Sequence, residues 1–265
     1  MMIASAANPK IKYLLKLRKK SFRNSEGVFL IEGARELERA LACNYELRSI
    51  FFCLEHTEKR EDTMRLLDDL DPKLCLQVSA DIYSKIAVRE DAEGFVAVAS
   101  QKIDDFHSFA AENKEALSLL VLDNVEKPGN LGAVLRTADG AGIKAVITLG
   151  QSVDPYNPGV IRSSVGSVFS VPVFALSYQE FADFKQRFAI EVLALSPEAK
   201  TCYWSHSFKK SSAFVFGNEA HGLSSQARSM VDNTLAMPME GLADSLNLSV
   251  SVGIMAYEYL RQIKS

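Results

Sequence analysis

The segment 117–138 reads LSLLVLDNVEKPGNLGAVLRTA, and it predicts a β-strand, a short turn and an α-helix in that order. Its first part, Leu117–Leu122, is a mostly apolar stretch of the kind found in buried strands. A proline and a glycine at positions 128 and 129 mark the turn. The helix that follows carries apolar residues at i, i+3, i+4 and i+7, which places them on one face: Leu131, Val134, Leu135 and Ala138. A strand, a turn and such a helix form the repeating unit of parallel α/β sheets.

The same alternation of strands and helices extends through the rest of the chain. Before residue 101 we expect strands at 27–31, 50–53, 74–78 and 95–99 and helices at 33–41, 64–70 and 81–86. Later strands are expected at 117–122, 145–149, 171–174, 191–195 and 213–216, and helices at 130–141, 160–169, 181–188 and 245–263. Strands spaced by about thirty residues with intervening helices favour a mostly parallel sheet in this second half.

The length of 265 residues predicts about two domains, at roughly 150 residues for each. The segment 101–115 is polar, mixes charge signs and lacks a strand period, so we place the domain boundary inside it. The expected fold class is α/β. We assign 1–107 to a small N-terminal α/β domain and 108–265 to an α/β domain with a mostly parallel sheet.

The composition is that of a folded, reduced protein. Hydrophobic residues make up 48% of the chain and charged residues 24%, which excludes a largely disordered protein. No apolar run approaches the roughly 18 residues of a membrane span, and the first residues lack the apolar core of a signal peptide. The four cysteines form no CxxC pair and the four histidines no ligand cluster. We therefore expect a cytoplasmic protein with no membrane association, no disulfides and no metal.

The formal charge of −3 conceals an uneven distribution of charge. The first 23 residues contain no acidic side chain and carry these cations: Lys10, Lys12, Lys16, Arg18, Lys19, Lys20 and Arg23. Apolar residues alternate with them at helical spacing, which predicts an amphipathic basic helix. Such a helix could lie along a phosphate backbone and release counterions, which makes these residues candidates for RNA binding. The alternative is a solvated helix face that is rich in lysine.

Three glycine-rich loops follow predicted strands of the second half, and ligands of open α/β sheets bind near the carboxyl ends of strands. Their polar candidates are Asn130 with Arg136, Glu219 with His221, and Ser245 with Asn247. Asn130 and Ser245 have an alternative role as helix N-caps, Arg136 as a surface residue, and Glu219 as a partner of the helix dipole. The sequence has no GxGxxG, GxxxxGK[ST], GxSxG or HExxH motif.

The last predicted helix is apolar on two sides. One row consists of Leu246, Val250, Gly253, Ile254 and Tyr257, and the other of Leu248, Val252, Met255 and Tyr259. Helices that are apolar on two sides are buried on two sides. In a chain of this size, the second side predicts contact with a partner subunit.

Together the three loops resemble the SpoU (TrmH-like) family of RNA methyltransferases, which belongs to the SPOUT superfamily. The matching motifs are NLGAVLRTA at 130–138, FGNEAHGL at 216–223, and MPM at 237–239 with SLNLSV at 245–250. The stretch RSSVGSVF at 162–169 matches the family's linking segment. Ahead of these, FLIEG at 29–33 and EGFVAV at 93–98 resemble a SpoU substrate-binding domain. The family usually has aspartate where Lys127 stands and isoleucine where Met237 stands.

This resemblance implies a C-terminal deep trefoil knot, S-adenosylmethionine as the methyl donor, and a homodimer formed through the C-terminal helix and the knot region. It implies backbone contacts with the cofactor at Gly217, Met237 and Leu246. It implies an active-site polar set of Asn130, Arg136, Glu219, Ser245 and Asn247. The implied product is a 2′-O-methylated ribose in structured RNA, and the separate N-terminal domain favours rRNA over tRNA.

The resemblance leaves the role of Arg136 open between a phosphate clamp and a proton acceptor. A bidentate guanidinium suits a phosphate, whereas arginine is normally too weak an acid to act as a base. Three alternatives to rRNA ribose methylation also remain: a tRNA substrate, a non-catalytic RNA-binding protein with the same fold, and methylation of a base. The serine–leucine–asparagine pattern of the third motif disfavours base methylation.

Overall fold

A computed structural model describes residues 2–88, 93–102 and 105–264. Contacts divide the chain into two compact units. The first consists of Met1–Ile103 with Asp154–Ser170, and the second of Asp104–Val153 with Val171–Ser265. The sequence did not indicate that the segment 154–170 packs with the first unit. The assignment of substrate binding and methyl transfer to separate domains stays a prediction.

Up to residue 102 the elements alternate as expected. They are α1 (Pro9–Lys16), α2 (Lys20–Glu26), β1 (Val28–Ile31), α3 (Ala34–Ala42), β2 (Leu47–Phe52), α4 (Leu54–Thr57), α5 (Glu61–Asp68), β3 (Cys75–Gln77), α6 (Ala80–Ile86) and β4 (Phe95–Ser100). The strand order is β1-β4-β2-β3, in which β4 is antiparallel to both neighbours and β3 is parallel to β2. The predicted amphipathic helix is confirmed over Pro9–Lys16, where Ile11 and Leu14 are buried in the core on this sheet, but it ends before the later cations, of which Lys20 and Arg23 belong to α2.

From residue 105 onward the elements build the second sheet. They are α7 (Phe106–Glu112), β5 (Ser118–Asp123), α8 (Pro128–Ala141), β6 (Ala145–Leu149), α9 (Pro158–Ser163), β7 (Val173–Leu176), α10 (Tyr178–Phe188), β8 (Glu191–Leu195), β9 (Ser212–Phe216), α11 (Ser225–Ser229), β10 (Asn233–Leu235) and α12 (Leu248–Lys264). The strand order is β10-β8-β9-β5-β6-β7, and all five neighbouring pairs are parallel. The predicted parallel α/β sheet is therefore confirmed.

The parallel arrangement positions the loops that matter for function. Strands β5 and β9 are neighbours, with Leu122 paired to Phe216 near their carboxyl ends. The loop after β5 leads into α8, and the loop after β9 leads into α11. Because parallel strands end at the same edge of a sheet, the first two glycine-rich loops meet there. The expected knot stays a prediction, since strand order and register do not define how the chain is threaded.

Several elements of the second half differ from the sequence prediction. The helix expected over 160–169 ends at Ser163 and is followed by a 3-10 turn, because Val165 and Gly166 have left-handed φ angles of 51° and 81°. The last helix begins at Leu248, three residues later than expected. Strand β10 and helix α7 were not expected at all.

The segment 154–170 is held to the first unit by a buried ion pair and an aromatic cluster. Arg23 of α2 pairs with Asp154, and both side chains are almost completely buried. The Tyr156 ring stacks on Phe29 of β1, with 4.5 Å between ring centroids. Arg39 donates a hydrogen bond of 2.6 Å to the Val165 carbonyl. The sequence motif around 162–169 thus packs against strand β1 and helix α3.

None of the described helices combines the length and the hydropathy that crossing a membrane requires.

Candidate active site

Two adjacent cavities lie where the glycine-rich loops of the second unit meet. The larger has a volume of about 410 Å³ and is lined by the loop after β9 and by 245–248. The smaller has a volume of about 150 Å³ and is lined by 125–127, Asn130 and the same loop after β9. Asn218 and Glu219 line both cavities. All three loops singled out in the sequence therefore contribute to this site.

The loop at 217–223 is closed by its own backbone. The Asn218 N–H donates to the Gly222 carbonyl at 3.0 Å, and the Gly222 N–H donates back to Asn218 at 2.8 Å. The Asn218 carboxamide oxygen accepts from the Ala220 N–H at 2.9 Å. A Cβ on Gly217 would lie 2.2 Å from the carbonyl carbon of Gly222, so only glycine permits this closure. The first glycine of the motif is thus required by the loop itself.

Glu219 is the residue at which the three loops converge. Its carboxylate forms an ion pair with Lys127 and accepts a hydrogen bond of 3.1 Å from the Asn247 amide. Hydrogen bonds from Lys127 and Asn130, together with the positive charge of Lys127, lower the pKa of Glu219 below its ordinary value. The carboxylate is therefore ionised at neutral pH. Its side chain is 28% exposed, and Glu219 lines both cavities.

Asn130 is not the N-cap of its helix, so the capping alternative is wrong. Helix α8 begins at Pro128, and Lys127 occupies the N-cap position without a side-chain capping bond. Asn130 is the third helical residue, which leaves its amide free to bond to Glu219. The proline sets the start of the helix, because it has no N–H to satisfy at that position.

Ser245 is not a helix cap either. Helix α12 begins at Leu248, and the Asn247 side-chain oxygen accepts from the Ser249 N–H at 2.9 Å and from the Ser249 hydroxyl at 2.7 Å. Asn247 therefore caps the helix through its oxygen while its nitrogen donates to Glu219. Ser245 is exposed and lines the larger cavity together with Leu246.

Two predicted site residues lie outside this cluster. Arg136 is exposed on α8, about 9 Å along the helix axis from Asn130 at 1.5 Å for each residue. It forms no hydrogen bond or ion pair within the described part of the chain. Met237 is half-buried, two residues after β10, and neither residue is among those that line the two cavities. Of the three predicted cofactor contacts, Gly217 and Leu246 line the larger cavity.

The last helix separates its two apolar rows as its pattern predicts. Val252 and Met255 of one row are buried in the second unit. Val250 and Tyr257 of the other row remain 48% and 53% exposed. The exposed row forms an apolar surface on the last helix. Contact of this surface with a partner subunit stays a prediction.

The structure corrects one of the seven N-terminal cations. Arg23 is 1% exposed and is bound by Asp154 and by the carbonyls of Leu17 and Arg18 at 2.9 Å, so it cannot reach a phosphate. The other six are exposed, and we call them the basic patch: Lys10, Lys12, Lys16, Arg18, Lys19 and Lys20. Arg18 also donates to the carbonyl of Lys85 at 2.8 Å, near the end of α6.

Sequence reasoning missed two groups that organise the site. The family pattern identifies Lys127 only as a departure, although a lysine between a strand and a helix is well placed to meet an acidic loop. Asp123 ends β5 and is buried, with a hydrogen bond of 2.6 Å from Tyr178. An acid at the carboxyl end of an apolar strand was the available signal for Asp123, whereas nothing local indicated Tyr178.

Within the described residues, no three or more His, Cys, Asp or Glu side chains are grouped so that they could hold a metal ion.

Comparisons with known proteins agree with this geometry. Residues 117–257 match the model of the SpoU rRNA Methylase family, and residues 8–97 match the MRM3-like substrate binding domain. The chain is 30% identical to the 23S rRNA (guanosine(2553)-2′-O)-methyltransferase RlmP of Bacillus subtilis, an alignment that covers 96% of this chain and 97% of the relative.

Two solved structures share the whole fold. One is an RNA 2′-O ribose methyltransferase, with 37% identity, full coverage of both chains and a TM-score of 0.85. The other is the SpoU methyltransferase AviRb from Streptomyces viridochromogenes in complex with AdoMet, with 26% identity, coverage of 97% and 99%, and a TM-score of 0.84. The α/β fold class and the order of the two domain types are thereby confirmed. The family match, together with the loops that form the two cavities, shows that the chain belongs to the SpoU rRNA methylase family.

Proposed function

We propose that this protein transfers a methyl group from S-adenosylmethionine to a ribose 2′-hydroxyl of rRNA. The observation that carries the proposal is the convergence on Glu219 of Asn130 and Asn247, which come from the first and third family motifs. The names of the relatives support the same reaction, since both RlmP and the first of the solved structures described above are 2′-O-methyltransferases.

The larger cavity fits the cofactor by size and lining. Its volume of about 410 Å³ falls in the range of small-molecule sites. Leu195, Leu246 and Leu248 supply apolar surface, while the loop at 217–219 supplies backbone polar groups. When bound, S-adenosylmethionine supplies an electrophilic methyl group on a sulfonium sulfur. Gly217 and Leu246, which line this cavity, would hold the cofactor through their backbones, with Met237 as the third expected contact.

The chain's own residues orient the RNA. Arg136 has no protein partner within the described residues and carries a fork of N–H donors, which suits a phosphate of the target nucleotide. A protonated guanidinium has no acceptor, so phosphate clamping is the role that we assign to it. Asn130, Ser245 and Asn247 orient the ribose, and Glu219 holds the three loops together through its bonds to Lys127, Asn130 and Asn247. Holding the hydroxyl in place makes its attack effectively unimolecular, which supplies much of the rate.

RNA capture is assigned to the basic patch, whose six cations are exposed on and beside α1 and α2. The exposed row of α12 is assigned to a homodimer, and the chain around the third motif to the knot. These assignments rest on the family resemblance together with the exposure of the residues. The proposed rRNA substrate supports our assignment of the protein to the cytoplasm.

The test is methylation of purified RNA by the purified protein. Labelled S-adenosylmethionine is incubated with rRNA or tRNA from cells that lack the protein, and the product is digested to nucleosides. We expect label in one 2′-O-methylnucleoside of rRNA, at a position that resists alkaline cleavage. Label in tRNA alone changes the substrate, and label on a base overturns the ribose assignment. Binding of RNA without cofactor binding or methyl transfer identifies the non-catalytic alternative.

A further inference from the structure

The carboxylate of Asp123 is completely buried at the end of β5. Its Oδ1 accepts hydrogen bonds from the Tyr178 hydroxyl at 2.6 Å and the Asn124 amide at 2.8 Å. Its Oδ2 accepts from the Ser224 N–H at 2.6 Å. None of the ion pairs between described residues includes Asp123. Burying a polar side chain is costly unless hydrogen bonds satisfy it, and these three donors satisfy both oxygens of Asp123.

These bonds attach the loop at 217–223 to the sheet at both of its ends. Ser224 follows the loop directly and is the N-cap of α11. At the other end of the loop, the Asn218 amide donates to the Asn124 carbonyl at 3.0 Å. The same Asn124 accepts a bond of 3.0 Å from the N–H of Gln151, in the loop after β6. Three loops at the edge of the sheet are thus joined through Asp123 and its neighbour.

The space around this network is closed. Gly150 has a φ of 66°, and a Cβ there would lie 2.4 Å from the Asn124 side-chain oxygen and 2.7 Å from the Tyr178 hydroxyl. Asn124 itself adopts a left-handed φ of 55°. Burial and the bond to Asp123 raise the pKa of Tyr178, so its hydroxyl stays a neutral donor at physiological pH. A left-handed asparagine beside an obligatory glycine indicates a backbone arranged for this contact.

We propose that Asp123 and Tyr178 are positioning residues that hold the loop at 217–223 in its cofactor-binding shape. We call Asp123, Asn124, Tyr178 and Ser224 the loop clasp. None of the four lines the two cavities. The clasp acts through Asn218, Glu219 and the loop backbone. Its role in cofactor binding rests on the proposed function, which makes S-adenosylmethionine the ligand of that loop.

Tyr178→Phe is the sharpest test, because it keeps the ring that packs on the core and removes only the hydroxyl. We expect calorimetry to show S-adenosylmethionine binding about tenfold weaker, equivalent to about 1.4 kcal/mol. The KM for the cofactor should rise in step, while kcat at saturating cofactor and the affinity for RNA stay unchanged. Asp123→Asn should have a larger effect of the same kind, because it leaves at least one donor without an acceptor.

Ser177→Ala is the matched control, since the Ser177 hydroxyl caps the same helix α10 by accepting from the Glu180 N–H and forms no hydrogen bond with the clasp side chains. It should lower the thermal midpoint and leave cofactor affinity unchanged. If Tyr178→Phe binds the cofactor like the wild type, or if Ser177→Ala weakens binding equally, the clasp is overturned while the proposed function stands. If the wild type itself binds no S-adenosylmethionine, the proposed function fails first. Should Asp123→Asn fail to fold, Tyr178→Phe alone decides.

Discussion

Replacement of Lys12, Lys19 and Lys20 by glutamine should weaken RNA binding and reduce its dependence on salt. All three side chains are exposed, and none has a partner among the described residues. Substitution is preferable to deleting residues 1–23, because Ile11 and Leu14 of that segment are buried in the core of the first unit. The triple substitution therefore removes charge and retains the fold.

The size of the effect follows from counterion release. Each phosphate contact contributes about 0.7 to 0.9 to the slope of log K against log salt, depending on whether the nucleic acid is single- or double-stranded. Three lost contacts should reduce the magnitude of the slope by about 2 to 3. Half of the six exposed cations of the basic patch would remain, so measurable binding should persist.

Fluorescence anisotropy with a labelled rRNA fragment between about 50 and 200 mM salt gives this slope directly. The matched control replaces Lys59, Lys73 and Lys114 by glutamine, which are exposed lysines outside the patch, and it changes the net charge equally. The control should keep the wild-type slope. An unchanged slope in the patch variant would refute RNA capture by the patch, and an equal loss in both variants would show an effect of net charge alone.

Three further predictions concern stability, pH and the cofactor loop. Arg23→Gln leaves the Asp154 carboxylate buried without its partner and should lower the free energy of unfolding by about 3 to 5 kcal/mol, measured by denaturant titration. Lys127→Gln removes the charge and the ammonium hydrogen bond that lower the pKa of Glu219, so that pKa should rise. The acid limb of the pH–rate profile should then move to higher pH, and an NMR titration of Glu219 should show the same shift. Gly217→Ala should abolish S-adenosylmethionine binding with the circular dichroism spectrum retained, because its Cβ would lie 2.2 Å from the opposite side of the loop. Wild-type affinity in that last variant would contradict the role of the loop.

The strand–turn–helix unit at 117–138 could be predicted because its signals are local. The apolar strand, the proline and the i, i+3, i+4 row all lie within one short segment, and the structure contains β5 and α8 there. The parallel sheet followed from the repetition of this unit. Three members of the site also followed from motif positions, since Asn130, Glu219 and Asn247 meet in the structure.

What could not be predicted depends on partners far away in sequence. The sequence predicts Arg23 to be an RNA-binding cation like its neighbours, because nothing local reveals that it forms a buried ion pair with Asp154. Serine and asparagine are equally good caps, so choosing Asn247 over Ser245 requires knowing where α12 begins. Val165 has a left-handed φ and interrupts a helix that the apolar pattern predicts. This interruption could not be predicted, because a β-branched residue rarely adopts a positive φ.

Methylation of an rRNA ribose by this protein is tested most simply by a map of ribose methylation in the rRNA of cells from which the gene has been deleted. The deletion should abolish one 2′-O-methyl group, and the wild-type gene should restore it. The Arg136→Lys variant keeps the charge but loses the bidentate geometry, so it should fold normally and fail to restore the methyl group. A ribose methylation map that is unchanged by the deletion, or full restoration by Arg136→Lys, would contradict the account.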